Sequence, residues 1–297
     1  MKRLLNILLF VFTFLTTTLF ASGVTIQNLR CEYLNNPPGI DVVNPRLSWM
    51  IESTRRGERQ TAFQILVASS TDKLDRNMGD LWDSRKVESD QTTQLEYNGK
   101  TLLTGRQCFW KVRVWNSKGK VSGWSKPALW TMGLLDPKDW QAKWIGVNDP
   151  SPTEWVRPRC LRKPFQLDRS VLQVTVYVTA LGLYELRING KRVGDHLLTP
   201  KWTNYNKRVQ YQTYDVTKMV RSDSNTIGVI LGNGWYSGGW QQWKDKLRAI
   251  YGKEPLLLAQ LEIEFIDGSR QTIVSDESWR GTADGPLQFA GIYEGVT

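Results

Sequence analysis

Leu172-Gln173-Val174-Thr175-Val176-Tyr177-Val178 and, shortly after it, Leu183-Tyr184-Glu185-Leu186-Arg187-Ile188-Asn189-Gly190 are the stretches on which the fold turns. The first alternates strictly between apolar and polar residues, the period of a strand with one face buried. The second runs into Asn-Gly, the strongest short hairpin signal, and Val193 resumes the pattern beyond it. Thr226 to Leu231 and Leu257 to Ile266 read as further strands, the latter turning at Asp267-Gly268. Working back toward the N-terminus, Leu47 to Ile51, Phe63 to Ala68, Phe109 to Trp115 and Ala128 to Met132 have the same character. In Phe109 to Trp115, Trp110, Val112 and Val114 fall on one face and Lys111 and Arg113 on the other. Asn116-Ser117-Lys118-Gly119 supplies a turn, and Gly123-Trp124-Ser125 is similar to the Trp-Ser segment of fibronectin-III modules. No amphipathic helix of convincing length interrupts the strands. The reading is therefore all-β, as two tandem β-sandwiches: a fibronectin-III/Ig-like module over 24–134 and a jelly roll over 138–297. Leu134 to Asp139 is the joint, because the alternation breaks there and Pro137 cannot donate to a ladder.

The ends and the composition set the context. Met1-Lys2-Arg3 is followed by an apolar stretch to Leu19 and then by Phe20-Ala21-Ser22-Gly23, the three-part pattern of a cleaved signal peptide over 1–22. Export to the periplasm or the outside follows, with no membrane association after cleavage. The apolar stretch is short of the roughly 20 residues of a membrane span, and the first cysteine, Cys31, lies too far on for a lipid anchor. Three cysteines, Cys31, Cys108 and Cys160, allow either a Cys31–Cys108 bridge or three buried thiols, and their spacing does not suggest metal. The formal charge is +10, but the basic residues are scattered instead of forming the stripe that a nucleic-acid reading needs. A solvated basic surface, or attraction to acidic polysaccharide, accounts for it more simply.

Chemistry-bearing constellations are few. A single histidine, His196, removes the usual triads and multi-histidine metal sites. Glu262 and Glu264 leave one strand face about 7 Å apart, a spacing that superficially suits a glycosidase pair. They point in parallel, however, and alternate with Leu261, Ile263 and Phe265, so they are expected to be a solvated strand face. Gly232, Gly234 and Gly238 form a GxGxxxG run, which lacks the spacing, helix and βαβ frame of a dinucleotide site. These glycines are expected to permit a folded loop that displays aromatics instead of a helix. Trp235, Tyr236, Trp240, Trp243 and Tyr251 crowd into that region among polar residues, and Pro200 to Asn206, with Trp202 and Tyr205, repeats the mixture. Such a combination suits a sugar, whose C–H face stacks on an aromatic ring while its hydroxyls meet amides and carboxylates. It equally suits packing at the sandwich edge.

Tyr184 to Asp195, Pro200-Lys201-Trp202-Thr203-Asn204-Tyr205, Val209 to Thr217 and Leu231-Gly232-Asn233-Gly234-Trp235-Tyr236, in this order and spacing, resemble the N-terminal region of bacterial α-L-rhamnosidases. Asn44 to Trp49, Cys108 to Trp115 and Trp140 to Gly146 extend the resemblance over the mature chain. The resemblance implies an inverting glycoside hydrolase acting on terminal α-L-rhamnose of a glycan, with its catalytic carboxylates in an (α/α)6 barrel after the β-domains. No matching position belongs to that barrel, so no catalytic residue is carried over, and the chain alone is expected to be inactive. By the family pattern its jelly roll is expected to be unfinished at Thr297. In some members the second sandwich binds rhamnose with the help of calcium. Asn189, Asp195, Trp202, Asn233, Trp235 and Tyr236 are the candidates for such a site, without an assigned metal ligand set. The other expectation that the residues support is a stand-alone exported carbohydrate-binding protein without hydrolase activity.

Overall fold

The computed structural model describes residues 23–148, 157–240, 247–292 and 295–296. Segment 1–22, which the sequence pattern reads as a signal peptide, lies outside the described residues. The described residues divide into two compact units, the first drawn from 23–35, 46–100 and 109–128 and the second from 36–45, 101–108 and 129–296.

The first unit is built from β1 (Val24–Cys31), β2 (Arg46–Ser53), β3 (Gln60–Ala68), the one-turn helix α1 (Thr71–Asp75), β4 (Trp82–Asp83), β5 (Val87–Glu88), β6 (Leu95–Glu96) and most of β7 (Gln107–Asn116). One sheet has the order β1-β2-β6, and in the other β3 lies between β7 and the short strands β4 and β5. The alternation read from Phe109 to Trp115 holds, with Trp110, Val112 and Val114 wholly buried. Trp49 meets Phe63 edge-on at 5.3 Å, and its indole N–H donates to the buried Gln60 amide oxygen at 3.0 Å. The polar face of β7 departs from a simple solvated one. Lys111 is 7% exposed and donates to the Leu74 carbonyl at 2.6 Å, so burial lowers its pKa. Ser122 and Ser125 extend the sheet by accepting the Val114 and Val112 amides at 3.0 and 3.1 Å. Between them Trp124 lies beneath Arg113 at 4.7 Å and Lys111 at 5.2 Å. The Trp-Ser segment is thus a cation–π clasp along β7.

After β8 (Ala128–Thr131) and a 3-10 turn at Pro137–Asp139, the second unit contains β9 (Arg159–Gln166), β10 (Val171–Leu181), β11 (Leu183–Ile188), β12 (Lys191–Arg192), β13 (Gln212–Asp215) and β14 (Ser224–Gly232). A helical turn α2 (Gly234–Ser237) precedes β15 (Gly239–Trp240), β16 (Leu247–Arg248), β17 (Leu256–Phe265), β18 (Arg270–Val274) and β19 (Arg280–Thr282). A four-stranded sheet, β13-β10-β17-β18, faces a five-stranded one, β12-β11-β14-β9-β19. Val174, Val176, Val178 and Ala180 of β10 and Leu257, Ala259, Leu261, Ile263 and Phe265 of β17 pack against Leu186, Ile188, Val229 and Leu231 from the other sheet. Both Asn189 and Gly190 take positive φ, 51° and 80°, which is the geometry the Asn-Gly hairpin requires.

The join between the sheets is abrupt. β10 ends at Leu181 in one sheet and β11 starts at Leu183 in the other, so Gly182 alone turns the chain. Its φ is +132°, a region closed to side-chain-bearing residues, and an added Cβ would strike the Gly232 carbonyl oxygen. We expect Gly182→Ala to destabilise the protein by more than about 2 kcal/mol, read as a lowered urea midpoint; an unchanged midpoint would mean that the corner relaxes at no cost.

In the first unit, Asp80 closes the loop after α1. It accepts from the Ser69 amide at 2.9 Å, the Ser69 hydroxyl at 2.8 Å and the Lys73 ammonium at 2.7 Å. Burial opposes its ionisation, but Lys73 and Ser69 outweigh burial and hold the carboxyl at about 2, below its ordinary 3.8. A carboxylate depressed in this way contributes stability above its unfolded pKa and loses it as the pH falls through the folded one. The Tm difference between wild type and Asp80→Asn should therefore be full near about pH 5 and shrink toward about pH 2. A difference independent of pH would contradict this assignment.

Candidate functional site

The corner at Gly182 also builds the aromatic end of the second unit. Leu183 pairs with Gly232 as the last rung of the β11–β14 ladder, and the chain then closes the helical turn α2. The glycine spacing suggests a folded loop, and the structure has a helical turn there. A single turn forms because Ser237 N–H donates to the Asn233 carbonyl and Gly238 N–H to that of Gly234, both at 3.2 Å. Gly234 makes the turn possible, with φ +55° and an added Cβ only 2.8 Å from the Leu183 side chain.

The segment around Trp202 is clamped to the same end. Tyr184 N–H donates to the Thr199 carbonyl at 3.0 Å, and the Thr199 hydroxyl donates to the Tyr184 carbonyl at 2.9 Å. This brings Tyr205 edge-on to Tyr236 at 5.4 Å and to Tyr251 at 5.1 Å. Burial, with Tyr251 alongside, pushes the Tyr205 phenol up to about 12. The two aromatic segments thus converge, and the tyrosines among them serve packing. Trp202 instead keeps 53% of its surface exposed. Trp235 and Tyr236 are half-buried, and Asn233, which opens the turn, is buried. The Trp240 side chain and Trp243 lie outside the described residues.

Asn189 stands apart from this group. It follows the far end of β11, five rungs or about 17 Å along the strand from Leu183. Its amide nitrogen donates to the Met219 carbonyl at 3.0 Å and to Asn225 Oδ1 at 2.8 Å. Its oxygen accepts from Thr226 N–H at 2.9 Å. The side chain is committed to holding the hairpin against β14, so it is a structural staple. Asp195 is exposed in the following loop, next to His196, whose Nδ1 lies 3.2 Å from the Tyr214 hydroxyl. Among the described residues, no three His, Cys, Asp or Glu side chains form a cluster.

Glu262 and Glu264 are not the plain solvated face that their alternation suggested. Both are half-buried. They stand on the outer face of the four-stranded sheet, where Thr175 pairs with Glu262 and Tyr177 with Gln260. Gln260, 1% exposed, accepts from the Gln141 and Ala142 amides at 2.8 and 3.3 Å. It donates to the Asp139 carbonyl at 2.9 Å and to Glu262 Oε1 at 2.7 Å. Segment 139–142 is thereby stapled across the sheet, and a cavity of about 350 Å³ is left beside it. The readable signal was the polar half of each alternation, Gln173-x-Thr175-x-Tyr177 and Gln260-x-Glu262-x-Glu264. Two central strands carrying such rows side by side call for a polar cover.

Comparison with known proteins gives this geometry a family. Residues 26–136 match the model of the Rha78A-like N-terminal immunoglobulin domain, and residues 169–297 that of the α-L-rhamnosidase N-terminal domain. An α-L-rhamnosidase from Formosa agariphila is 40% identical over 279 residues, which is 90% of this chain and 29% of that protein. The structure of an α-L-rhamnosidase from Dictyoglumus thermophilum superposes with a TM-score of 0.81 at 37% identity, over 92% of this chain and 31% of the other. That of a Streptomyces avermitilis α-L-rhamnosidase complexed with L-rhamnose gives 0.80 at 26% identity, over 92% and 42%. The chain spans less than half the length of each of these relatives. It belongs to the α-L-rhamnosidase family, as the N-terminal β-sandwich region of such proteins.

Proposed function

We propose that the chain is the non-catalytic N-terminal portion of an exported α-L-rhamnosidase, a scaffold that also holds a terminal rhamnose of a glycan at its aromatic end. The observation that carries the first half is the match of about nine-tenths of this chain to under a third of the Formosa agariphila enzyme, through domains described as N-terminal. Hydrolysis of α-L-rhamnosides then belongs to sequence that follows these sandwiches. Export rests on the charged, apolar and small-residue regions of 1–22.

The binding half rests on Trp202 and Trp235. Trp202 is exposed on a segment clamped to β11, and Trp235 sits in a turn wedged against the same strand, so both rings are held by rigid elements. A rhamnose ring offers C–H groups and a methyl for stacking, and neighbouring polar groups meet its hydroxyls. Asn189, whose amide is committed to the hairpin, takes no part in this arrangement.

The purified chain should show no turnover of p-nitrophenyl α-L-rhamnoside above blank, whereas the same sandwiches joined to a family catalytic domain should hydrolyse it. Calorimetry should detect L-rhamnose binding that weakens about tenfold in Trp202→Ala or Trp235→Ala. Turnover by this chain alone would overturn the non-catalytic assignment, and rhamnose affinity unaffected by either substitution would overturn the aromatic one.

A further inference from the structure

The cavity on the outer face of the four-stranded sheet has the chemistry of a binding site of its own. Its floor is the side chain of Tyr177, a residue 2% exposed. Trp140 and Tyr211 hold that ring edge-on at 6.5 and 6.2 Å. The hydroxyl lies at the cavity, beside Gly105, where an added Cβ would stand 3.7 Å from it. Every other polar group at this depth is committed: Gln260 makes four hydrogen bonds, and Asp139 accepts from the Thr104 hydroxyl and from the Leu135 and Asp136 amides. The Tyr177 hydroxyl makes no hydrogen bond to any described residue and opens onto the cavity, where it can donate to or accept from whatever fills it.

The rest of the lining narrows what would satisfy it. Carboxylates from Glu262 and Glu264 offer acceptors, Lys138 and Arg270 offer donors, and the amides of Gln141 and Gln173 offer both. Three carboxylates, counting Asp139, repel an anionic ligand, and the two basic side chains disfavour a bare cation. On paired strands, neighbouring side chains of one face form a flat grid, about 5 Å across strands and 7 Å along them. Such a grid addresses several hydroxyls of one ring at once. The volume, about 350 Å³, falls at the small end of ligand pockets.

We propose that this cavity is a second carbohydrate subsite, separate from the aromatic end, that takes a single neutral pyranose and bonds one of its hydroxyls through Tyr177. The sugar gives the Tyr177 hydroxyl, which faces the cavity, a hydrogen-bond partner.

The test uses the intact chain with L-rhamnose, D-glucose and D-galactose in turn, followed by saturation-transfer NMR and by thermal shift. At least one sugar should give signal and raise Tm. Tyr177→Phe keeps the ring and removes only the hydroxyl, so its Tm without sugar should equal that of wild type, while affinity falls about fivefold to tenfold. Gln173→Ala should weaken the same sugar. Three results would overturn the proposal: no sugar binding to folded protein, equal binding by Tyr177→Phe, or binding abolished by Trp235→Ala but not by Tyr177→Phe. The last assigns the sugar to the aromatic end instead.

Discussion

The second unit depends on one residue having no side chain. With Gly182 at φ +132°, an eleven-residue strand of one sheet passes directly into a strand of the other. No loop intervenes to absorb an error in position. The two inner faces, rich in valine from β10 and in leucine and isoleucine from β11, β14 and β17, are therefore brought into opposition by a single bend. Everything at that end follows from it. Leu183 pairs at once with Gly232, α2 folds back onto Leu183 and Gly182, and Thr199 clamps the Trp202 segment beside Tyr184. The aromatic end is in this sense the outer lining of a sharp corner, and its rigidity comes from the corner.

The same strands that supply the core supply the polar cavity on their backs. β10 and β17 are central in their sheet, and segment 139–142 lies over part of their outer face, so the outward side chains beneath it cannot simply be hydrated. Gln260 resolves this for half of the face by standing in for a strand partner of segment 139–142. A buried amide is well suited to the task because it presents a donor and an acceptor at once to backbone that runs across the sheet. Where the cover ends, the remaining carboxylates, amides and the Tyr177 hydroxyl border open space.

Much of the fold was legible because alternation survives translation into structure. Leu183 to Ile188 and the Asn189-Gly190 turn formed where the pattern placed them, and β7 buries the tryptophan and valines expected of it. The functional surface was less legible, for physical reasons. Asn189 looked like a hydroxyl-binding amide, but residue type does not reveal whether an amide is already bonded, and its partners Met219 and Asn225 are 30 and 36 residues away. The tyrosines at 205, 236 and 251 could have been platform or packing, and only their edge-on contacts decide for packing. Glu262 and Glu264 looked solvated because alternation reports on one face of a strand and not on what lies over the other. The cover comes from 139–142, more than a hundred residues earlier in the chain.

The rims of the five-stranded sheet carry a further meaning. Among the described residues one edge is β12, only Lys191 and Arg192, both exposed, and the other is β19, exposed throughout and led by Arg280. An edge strand invites any free strand to add to it, including that of another copy. Here a visiting strand would find a ladder of two or three residues and meet guanidinium and ammonium groups on arrival. A sheet with every opportunity to template its own aggregation thus carries at these margins the charge that discourages such growth.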